Sequence, residues 1–428
     1  MASALPRLRI GLVGLGMICA ETYLPLLAQL QRQPIVVPGF GMVEVELLAV
    51  ASRTGRRLGE LMVSYPQLFA SVRAFHGARA VEELLMEPLD LICIATPDHR
   101  HFEPALAAVE AGKHVLLEKP SVLRLDQLDR LTQECAKHNV LGKVVYHKLF
   151  DPDHQRLHAL VADNVLRHVN SGYCSLLEPK SISGKQFSEW IQGRNPATYV
   201  ATHYVKLIDF TFFAAGEAAL STIHATGQRG LVGNVEGSTW DSVQTQLGYR
   251  YPDGREAAFD LHTSWVHPEN FPGYVEQEVQ FRFDNGVWKA SQRQRGVEVC
   301  VEDRAAELFK TTPNHHYNAD LLQPWGERRR RGYGLDALQR AFEEAAYVEF
   351  GGPATRRGKR CLASRDVCYN DLSAERQTVA VVQAVETILA RHAAGAPGGR
   401  VCVNGPHGGL VLDLPGRVEY EVLYGPAV

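Results

Sequence analysis

The sequence predicts an α/β protein of two domains, a doubly wound parallel sheet followed by an α+β region. Two observations predict it. Through residues 1–150, short apolar runs alternate with helical patterns, which is the signature of strand–helix–strand units closing a parallel sheet. Beyond that point apolar and polar residues alternate at period two, as in an antiparallel sheet with one covered face. The length of 428 residues agrees, since single cores usually split beyond roughly 250–300 residues.

The elements follow in order. Leu8 to Val13 is an apolar strand that stops at Gly14, and Tyr23, Leu26, Leu27 and Leu30 then recur at helical spacing. Pro34 to Gly41 reads as a surface insertion before a second strand, Val45 to Ser52. Asp90 to Ala95 is apolar enough for a central strand covered on both faces, and a helix from about Phe102 to Glu110 ends at Gly112. His114 to Leu117 is the next strand, Leu125 to His138 a helix stopped near Asn139, and Lys143 to Tyr146 a last short strand.

A helix around His154 to Asp163 opens the second region. Period-two segments follow at Arg167 to Glu178, Ser242 to Tyr251, Glu256 to Trp265 and Glu276 to Phe283. Pro252-Asp253-Gly254 and Asp284-Asn285-Gly286 are hairpin turns between such strands. Two helices, about Pro196 to Ala215 and Ala374 to His392, complete a domain spanning 151–428.

Composition narrows the function classes. With 45% hydrophobic and 22% charged residues the chain has ordinary globular composition, and a formal charge of -3 argues against a nucleic-acid partner. The basic run Arg328 to Arg331 reads as a solvated loop face. No segment reaches the roughly 18 uninterrupted apolar residues of a membrane span. The opening MASALPRLRIGLVGLG lacks an apolar run followed by a cleavage site, so a cytoplasmic protein is expected. Eight cysteines without CxxC spacing read as free thiols, and no metal site is expected.

The first chemical motif is GLGMIC, Gly14 to Cys19. A pyrophosphate on a helix N-terminus needs backbone that approaches it without Cβ interference, which Gly14 and Gly16 supply, with Met17 and Ile18 opening the helix. Cys19 stands where the fingerprint has Gly or Ala. In the context of strand, turn and helix this predicts a dinucleotide-binding Rossmann domain. The second strand ends in Ser52-Arg53-Thr54 rather than in an acid that would bind ribose hydroxyls. Arg53 therefore favours the 2'-phosphate of NADP over NAD, unless it only stacks on the adenine.

RIGLVGLGMI, ATPDHRHFEPALAAVEAGKHVLLEKP (Ala95 to Pro120) and YHKLFDP (Tyr146 to Pro152) resemble the glucose-fructose oxidoreductase and inositol dehydrogenase family, Gfo/Idh/MocA. The resemblance implies a C-terminal domain with a large, mostly antiparallel open sheet, through which such proteins form homodimers or homotetramers. It implies an NAD(P)-dependent oxidoreductase acting on a hydroxyl or carbonyl carbon of a sugar, polyol or inositol. Lys119, of the EKP stretch, then contacts both substrate and nicotinamide ribose, with Ala95, Thr96, Pro97, His101 and Glu118 on the cofactor side. His147 and Lys148 would touch substrate hydroxyls.

The family's Asp and His pair is not kept. In one register Lys206 takes the histidine position and Thr202 the aspartate; in the other the histidine is His203 and Tyr199 its partner. Either residue suits the proton transfer that accompanies hydride movement, and three-residue spacing lets both share a helix face. Trp265, His267 and Asn270 suit a sugar ring. Alternatives are a redox-cycling epimerase, lyase or glycosidase with tightly held NAD, and a dinucleotide-sensing regulator without chemistry.

Overall fold

The computed structural model describes residues 5–183, 191–214, 218–232, 239–271, 275–291, 296–301, 310–313, 319–322, 324, 328–365, 369–404, 409–414 and 421–425. The chain forms two compact units, residues 1–150 with 316–375, and 151–315 with 376–428. A single boundary near residue 150 is expected from the sequence. The chain instead passes between the units three times, because residues 316–375 return to the first.

In the first unit β1 (Arg7–Val13) leads into a helix that opens as a π turn, Cys19–Tyr23, and continues as α1 (Leu24–Leu30). There follow β2 (Ile35–Val37), β3 (Gly41–Ser52), α2 (Leu58–Ser64), β4 (Arg73–His76) and α3 (Ala80–Leu85). β5 (Leu91–Ile94), α4 (Phe102–Glu110), β6 (His114–Glu118), α5 (Leu125–His138) and β7 (Gly142–Val145) complete the sequence. The parallel strands run β4-β3-β1-β5-β6-β7, and β2 pairs antiparallel with the opening of β3. This order reverses between β1 and β5, and the crevice at such a switch point is where open α/β sheets bind ligands.

The expected insertion at Pro34 to Gly41 is thus a hairpin. Ile35 and Val37 bury on the core side while Val36 faces solvent, so the second strand begins at Gly41 rather than Val45. Helix α5 has the anticipated bounds. Its apolar face is Leu125, Leu128, Leu131 and Cys135, and Asn139 stops it in the left-handed region at φ 54°, which asparagine tolerates.

The second unit begins with α6 (Pro152–Ala162), N-capped by the Asp151 side chain, and β8 (Val169–Pro179). The helix expected from about Pro196 starts as a π turn, Ala197–Ala201, runs on as α7 (Thr202–Ile208) and ends in a second π turn, Asp209–Phe213. The Asn195 side chain accepts from the Thr198 amide at 2.7 Å and starts it. The strands β9 (Ala219–Gln228), β10 (Ser242–Arg250), β11 (Glu256–His267), β12 (Glu276–Phe283), β13 (Gly286–Ser291), β14 (Gly296–Val301) and β15 (Lys310–Pro313) come next.

Back in the first unit are β16 (Ala319–Leu322), β17 (Arg328–Arg331), α8 (Tyr333–Phe350) and α9 (Arg357–Arg365). The second unit closes with α10 (Arg376–Ala393), β18 (Arg400–Asn404), β19 (Gly409–Asp413) and β20 (Glu421–Tyr424). Among the described residues the strands of its sheet run β15-β14-β13-β12-β8-β11-β10-β9-β18-β19-β20. All pairs in this sheet are antiparallel except β8 with β11, so it is large and mostly antiparallel. Phe212 and Phe213 of the second π turn lie against Phe259, and Phe212 also meets Phe281, which fixes this helix on one face of the sheet.

Helix α8, absent from the expected elements, packs on the first unit's core through Leu335, Leu338, Phe342 and Ala345, and one ion pair and one histidine hydrogen bond fix it there. Lys143 of β7 is wholly enclosed and meets Glu344 at 3.2 Å. His114 of β6 meets Glu349 at 2.8 Å while its Nδ1 accepts from the Leu141 amide at 2.8 Å, so its Nε2 carries the proton.

The basic run Arg328 to Arg331 is a strand paired with β16 rather than a loop. Among the described residues no helix is long and apolar enough to cross a membrane. Cys19, Cys93, Cys135, Cys174, Cys361 and Cys402 are free thiols; the side chains of Cys300 and Cys368 lie outside the described residues.

Candidate active site

The carboxyl ends of β1, β3, β5, β6 and β7 carry every first-unit residue singled out from the sequence. The two glycines of the first turn differ in their reason for being glycine. Gly14 sits at φ +97° with its amide donating to the Ala51 carbonyl at 2.9 Å, and a Cβ there would come within 2.5 Å of the Ala95 carbonyl oxygen. That glycine lets β1 and β5 meet at the switch point. A Cβ on Gly16 would meet no protein atom within 4 Å. The space beside Gly16 is open, as a pyrophosphate approaching the helix requires, so the turn fits a dinucleotide.

Met17 and Ile18 are half-buried at the head of the helix, and Cys19 is enclosed. Burial raises the Cys19 thiol to about 12, against a smaller downward pull from Arg57. It serves as an apolar packing group at the helix–strand contact rather than as a nucleophile. At the end of β3, the Ser52 hydroxyl accepts from the Gly55 amide at 3.1 Å, and Arg53 and Thr54 are exposed beyond it.

Two arginines that the sequence reading did not assign to this turn lie near it, Arg330 having been read as part of a solvated face. Arg57 influences Cys19, and Arg330 of β17 donates to the Glu21 carbonyl oxygen at 3.3 Å. The first was legible in the SRTGRR run after β3; the second depends on a contact spanning more than three hundred residues.

At the end of β5, Ala95 is buried and Thr96 and Pro97 are half-buried. His101 is 1% exposed, with Nδ1 2.8 Å from the Pro120 carbonyl oxygen and Nε2 2.8 Å from that of Thr96. Its ring therefore bridges the ends of β5 and β6 beneath the surface, and burial pushes its pKa down.

Glu118, the last residue of β6, is also enclosed. It accepts from the Tyr23 hydroxyl at 3.0 Å, joining β6 to the π turn that follows the glycines. Burial raises Glu118 to about 7, with Lys119 and Tyr23 pulling the other way.

A raised carboxyl contributes stability that is complete below its unfolded pKa near 4.5 and lost as pH rises through the folded value near 7. The loss is on the order of 3 kcal/mol from the size of the shift. Thermal melts of Glu118→Gln should therefore decline less than wild type between pH 4.5 and 7. Parallel melting curves would show that Glu118 does not titrate in this range.

Lys119 is half-buried at the exit of β6 and joined to Pro120 by a cis peptide bond. His147 and Lys148 follow β7. Burial first, then the charges of Lys119 and Lys148, push His147 down to about 4, so it is neutral at pH 7. Lys119 follows β6 and His147 and Lys148 follow β7, at the carboxyl edge where open α/β sheets bind ligands, and the charges of both lysines act on His147.

In the second unit, Thr202 is 1% exposed, His203 9% and Lys206 0%, all on α7. Tyr199, in the π turn before it, is half-buried with its ring 6.3 Å from that of Trp265. Trp265 is wholly buried, His267 lies 3.4 Å from Glu276, and Asn270 is exposed. Of the run Lys206 to Glu217 whose register was in question, residues 215–217 lie outside the described residues.

Residues 8–146 match the family described as "Oxidoreductase family, NAD-binding Rossmann fold". Scyllo-inositol 2-dehydrogenase (NADP(+)) of Bacillus subtilis is 29% identical over 103 residues, 23% of this chain and 29% of that protein. Levoglucosan dehydrogenase of Pseudarthrobacter phenanthrenivorans is 26% identical over 257 residues, 54% of this chain and 65% of that protein. The chain thus spans less than two thirds of either relative.

Over nearly the whole chain the fold is similar to an Azotobacter vinelandii inositol dehydrogenase homolog solved with NADH and myo-inositol. The TM-score is 0.64 at 18% identity, covering 89% of this chain and 94% of that one. The sequence motifs and the family match agree: residues 8–146 carry the NAD-binding Rossmann domain of the Gfo/Idh/MocA oxidoreductase family.

Proposed function

We propose that this protein is an oxidoreductase that uses NADP in preference to NAD and acts on a CH–OH or carbonyl carbon of a sugar, polyol or inositol. The observation that carries the reading is the cluster of Lys119, His147 and Lys148 at the carboxyl edge of a sheet whose switch-point turn, Gly14 to Gly16, leaves open space beside the helix. A polyhydroxylated substrate offers what such a cluster of donors can bind. The relatives named for inositol and levoglucosan support the same class.

When bound, the nicotinamide supplies the hydride acceptor or donor. The chain's own residues do the rest. Lys119 donates to the reacting oxygen and stabilises the negative charge it develops, a role suited to a compact ammonium in a partly enclosed site. Neutral His147 and cationic Lys148 hold neighbouring hydroxyls. From the motif register, His203 or Lys206 takes the hydroxyl proton in oxidation and returns it in reduction, with Tyr199 beside them. Ala95, Thr96 and Pro97 border the nicotinamide side in this reading.

Arg53, exposed at the end of β3, holds the 2'-phosphate. Arg53→Ala should weaken NADP binding about tenfold or more and leave NAD binding within twofold, and the NADP affinity of wild type should fall as salt rises. Titration of nicotinamide fluorescence checks this. Equal losses for both cofactors would remove Arg53 from the selection.

Association as a homodimer or homotetramer through the large sheet, and a cytoplasmic location, belong to the same reading. Screening sugars, inositols and deoxy-keto sugars for reduction of NADP or NAD at 340 nm tests the activity. A panel with no turnover, despite binding of NADP, would favour the sensing regulator.

A further inference from the structure

We propose that Glu375 is a positioning residue for the Lys119 cluster. It lies more than two hundred residues from that cluster in sequence, at the last position of the segment that returns to the first unit. Its carboxylate is 0% exposed, and one oxygen, Oε2, accepts two hydroxyls: that of Tyr146 at 2.7 Å and that of Ser121 at 3.2 Å. Both donors are themselves enclosed, Ser121 at 0% and Tyr146 at 1%.

Their places in the chain give the contact its meaning. Ser121 follows the Lys119-Pro120 pair at the exit of β6, and Tyr146 directly precedes His147 at the exit of β7. A single carboxylate oxygen therefore pins the two strand exits that carry Lys119, His147 and Lys148. Glu375 is itself held in place by the segment before it. The Asn370 carbonyl accepts from the Val144 amide of β7 at 2.8 Å, and the Asp371 side chain accepts from the Ser373 amide at 3.0 Å and from its hydroxyl at 2.7 Å.

Buried hydrogen bonds to a carboxylate are short and directional, so they fix the angle between the two exits more tightly than apolar packing does. His101 ties the exit of β6 to that of β5 from the other side, through the carbonyls of Pro120 and Thr96. The Lys119 turn is thus held at both flanks by enclosed polar groups.

The inference rests on the reading of Lys119 as functional, but its test does not depend on finding a substrate. Trace acetic anhydride, with peptide mass spectrometry, reports the labelling rate of Lys119 against pH in the full chain. Tyr146→Phe and Glu375→Ala should each change that rate threefold or more, because the turn is released. Glu375→Gln, whose amide oxygen still accepts both hydroxyls, should stay within twofold of wild type.

Where a substrate is in hand, Tyr146→Phe should lower kcat about tenfold with KM for NADP unchanged. If Glu375→Ala does not fold, Tyr146→Phe decides alone. Unaltered Lys119 labelling in folded Tyr146→Phe overturns the proposal, as does a Glu375→Gln that behaves like Glu375→Ala. Loss of the Lys119 role itself would show separately, as undiminished turnover in a Lys119 variant.

Discussion

Lys119→Met should lower kcat by roughly a hundredfold to ten-thousandfold while NADP binds within a few-fold of its wild-type affinity. The reason is position. Lys119 leaves β6 at the carboxyl edge of the sheet, next to the buried Glu118 that Tyr23 holds, and beside His147 and Lys148. Methionine keeps the length and apolar stem of the side chain but removes the charge and the three donors, so the fold and the glycine turn should be undisturbed. Nicotinamide fluorescence measures the binding and absorbance at 340 nm the turnover. Retention of more than a tenth of the wild-type kcat would show that Lys119 does not stabilise the charge on the reacting oxygen.

The second large effect separates the two glycines. Gly14→Ala forces an alanine into φ +97° and drives its Cβ to 2.5 Å from the Ala95 carbonyl oxygen, a backbone atom that cannot step aside. The conformational cost alone is roughly 1–2 kcal/mol, and the overlap adds to it. At about 2–4 °C per kcal/mol, a melting point lower by some 4–12 °C is expected, with cofactor binding lost as well.

Gly16→Ala places its Cβ in open space, so the melting point should stay within about 1 °C. If that space receives the pyrophosphate, NADP affinity should fall tenfold or more. A Gly16→Ala protein that binds NADP normally would show that the phosphates lie elsewhere, whatever Gly14→Ala does.

Much of the first unit was legible because its signals are local. Helix α5 can be bounded from sequence since an amphipathic stripe ends at Asn139, and β5 since an apolar run ends at Thr96-Pro97. The short α2, β4 and α3 are too brief for periodicity to separate them from loop. Helix α8 carried a usable signal, with Leu335, Leu338, Phe342 and Ala345 at helical spacing, but that pattern says nothing of which domain it joins. Its partners, Lys143 and the β1–β3 core, lie far away in sequence.

The candidate site divides in the same way. Glycines, EKP and the YHKLFDP stretch are motifs, so Gly14, Gly16, Lys119, His147 and Lys148 could be named from the chain alone. What their neighbours do could not. The enclosure of His101 and Glu118, the Arg330 contact with the Glu21 carbonyl and the Glu375 network all arise from tertiary pairing that no local pattern encodes. Lys206 illustrates the remaining difficulty: a lysine on an apolar helix reads as exposed or functional, and it is wholly buried.

The central claim is net hydride transfer between a carbinol carbon and added nicotinamide. Incubating the protein with excess NADP and a polyol deuterated at its carbinol carbons tests it most directly, with mass spectrometry of the recovered nucleotide. The expected result is NADPH carrying one deuterium, formed in step with the oxidised product and absent with Lys119→Met. Product that accumulates with no labelled NADPH in solution would contradict it and point to a redox-neutral reaction on tightly held cofactor.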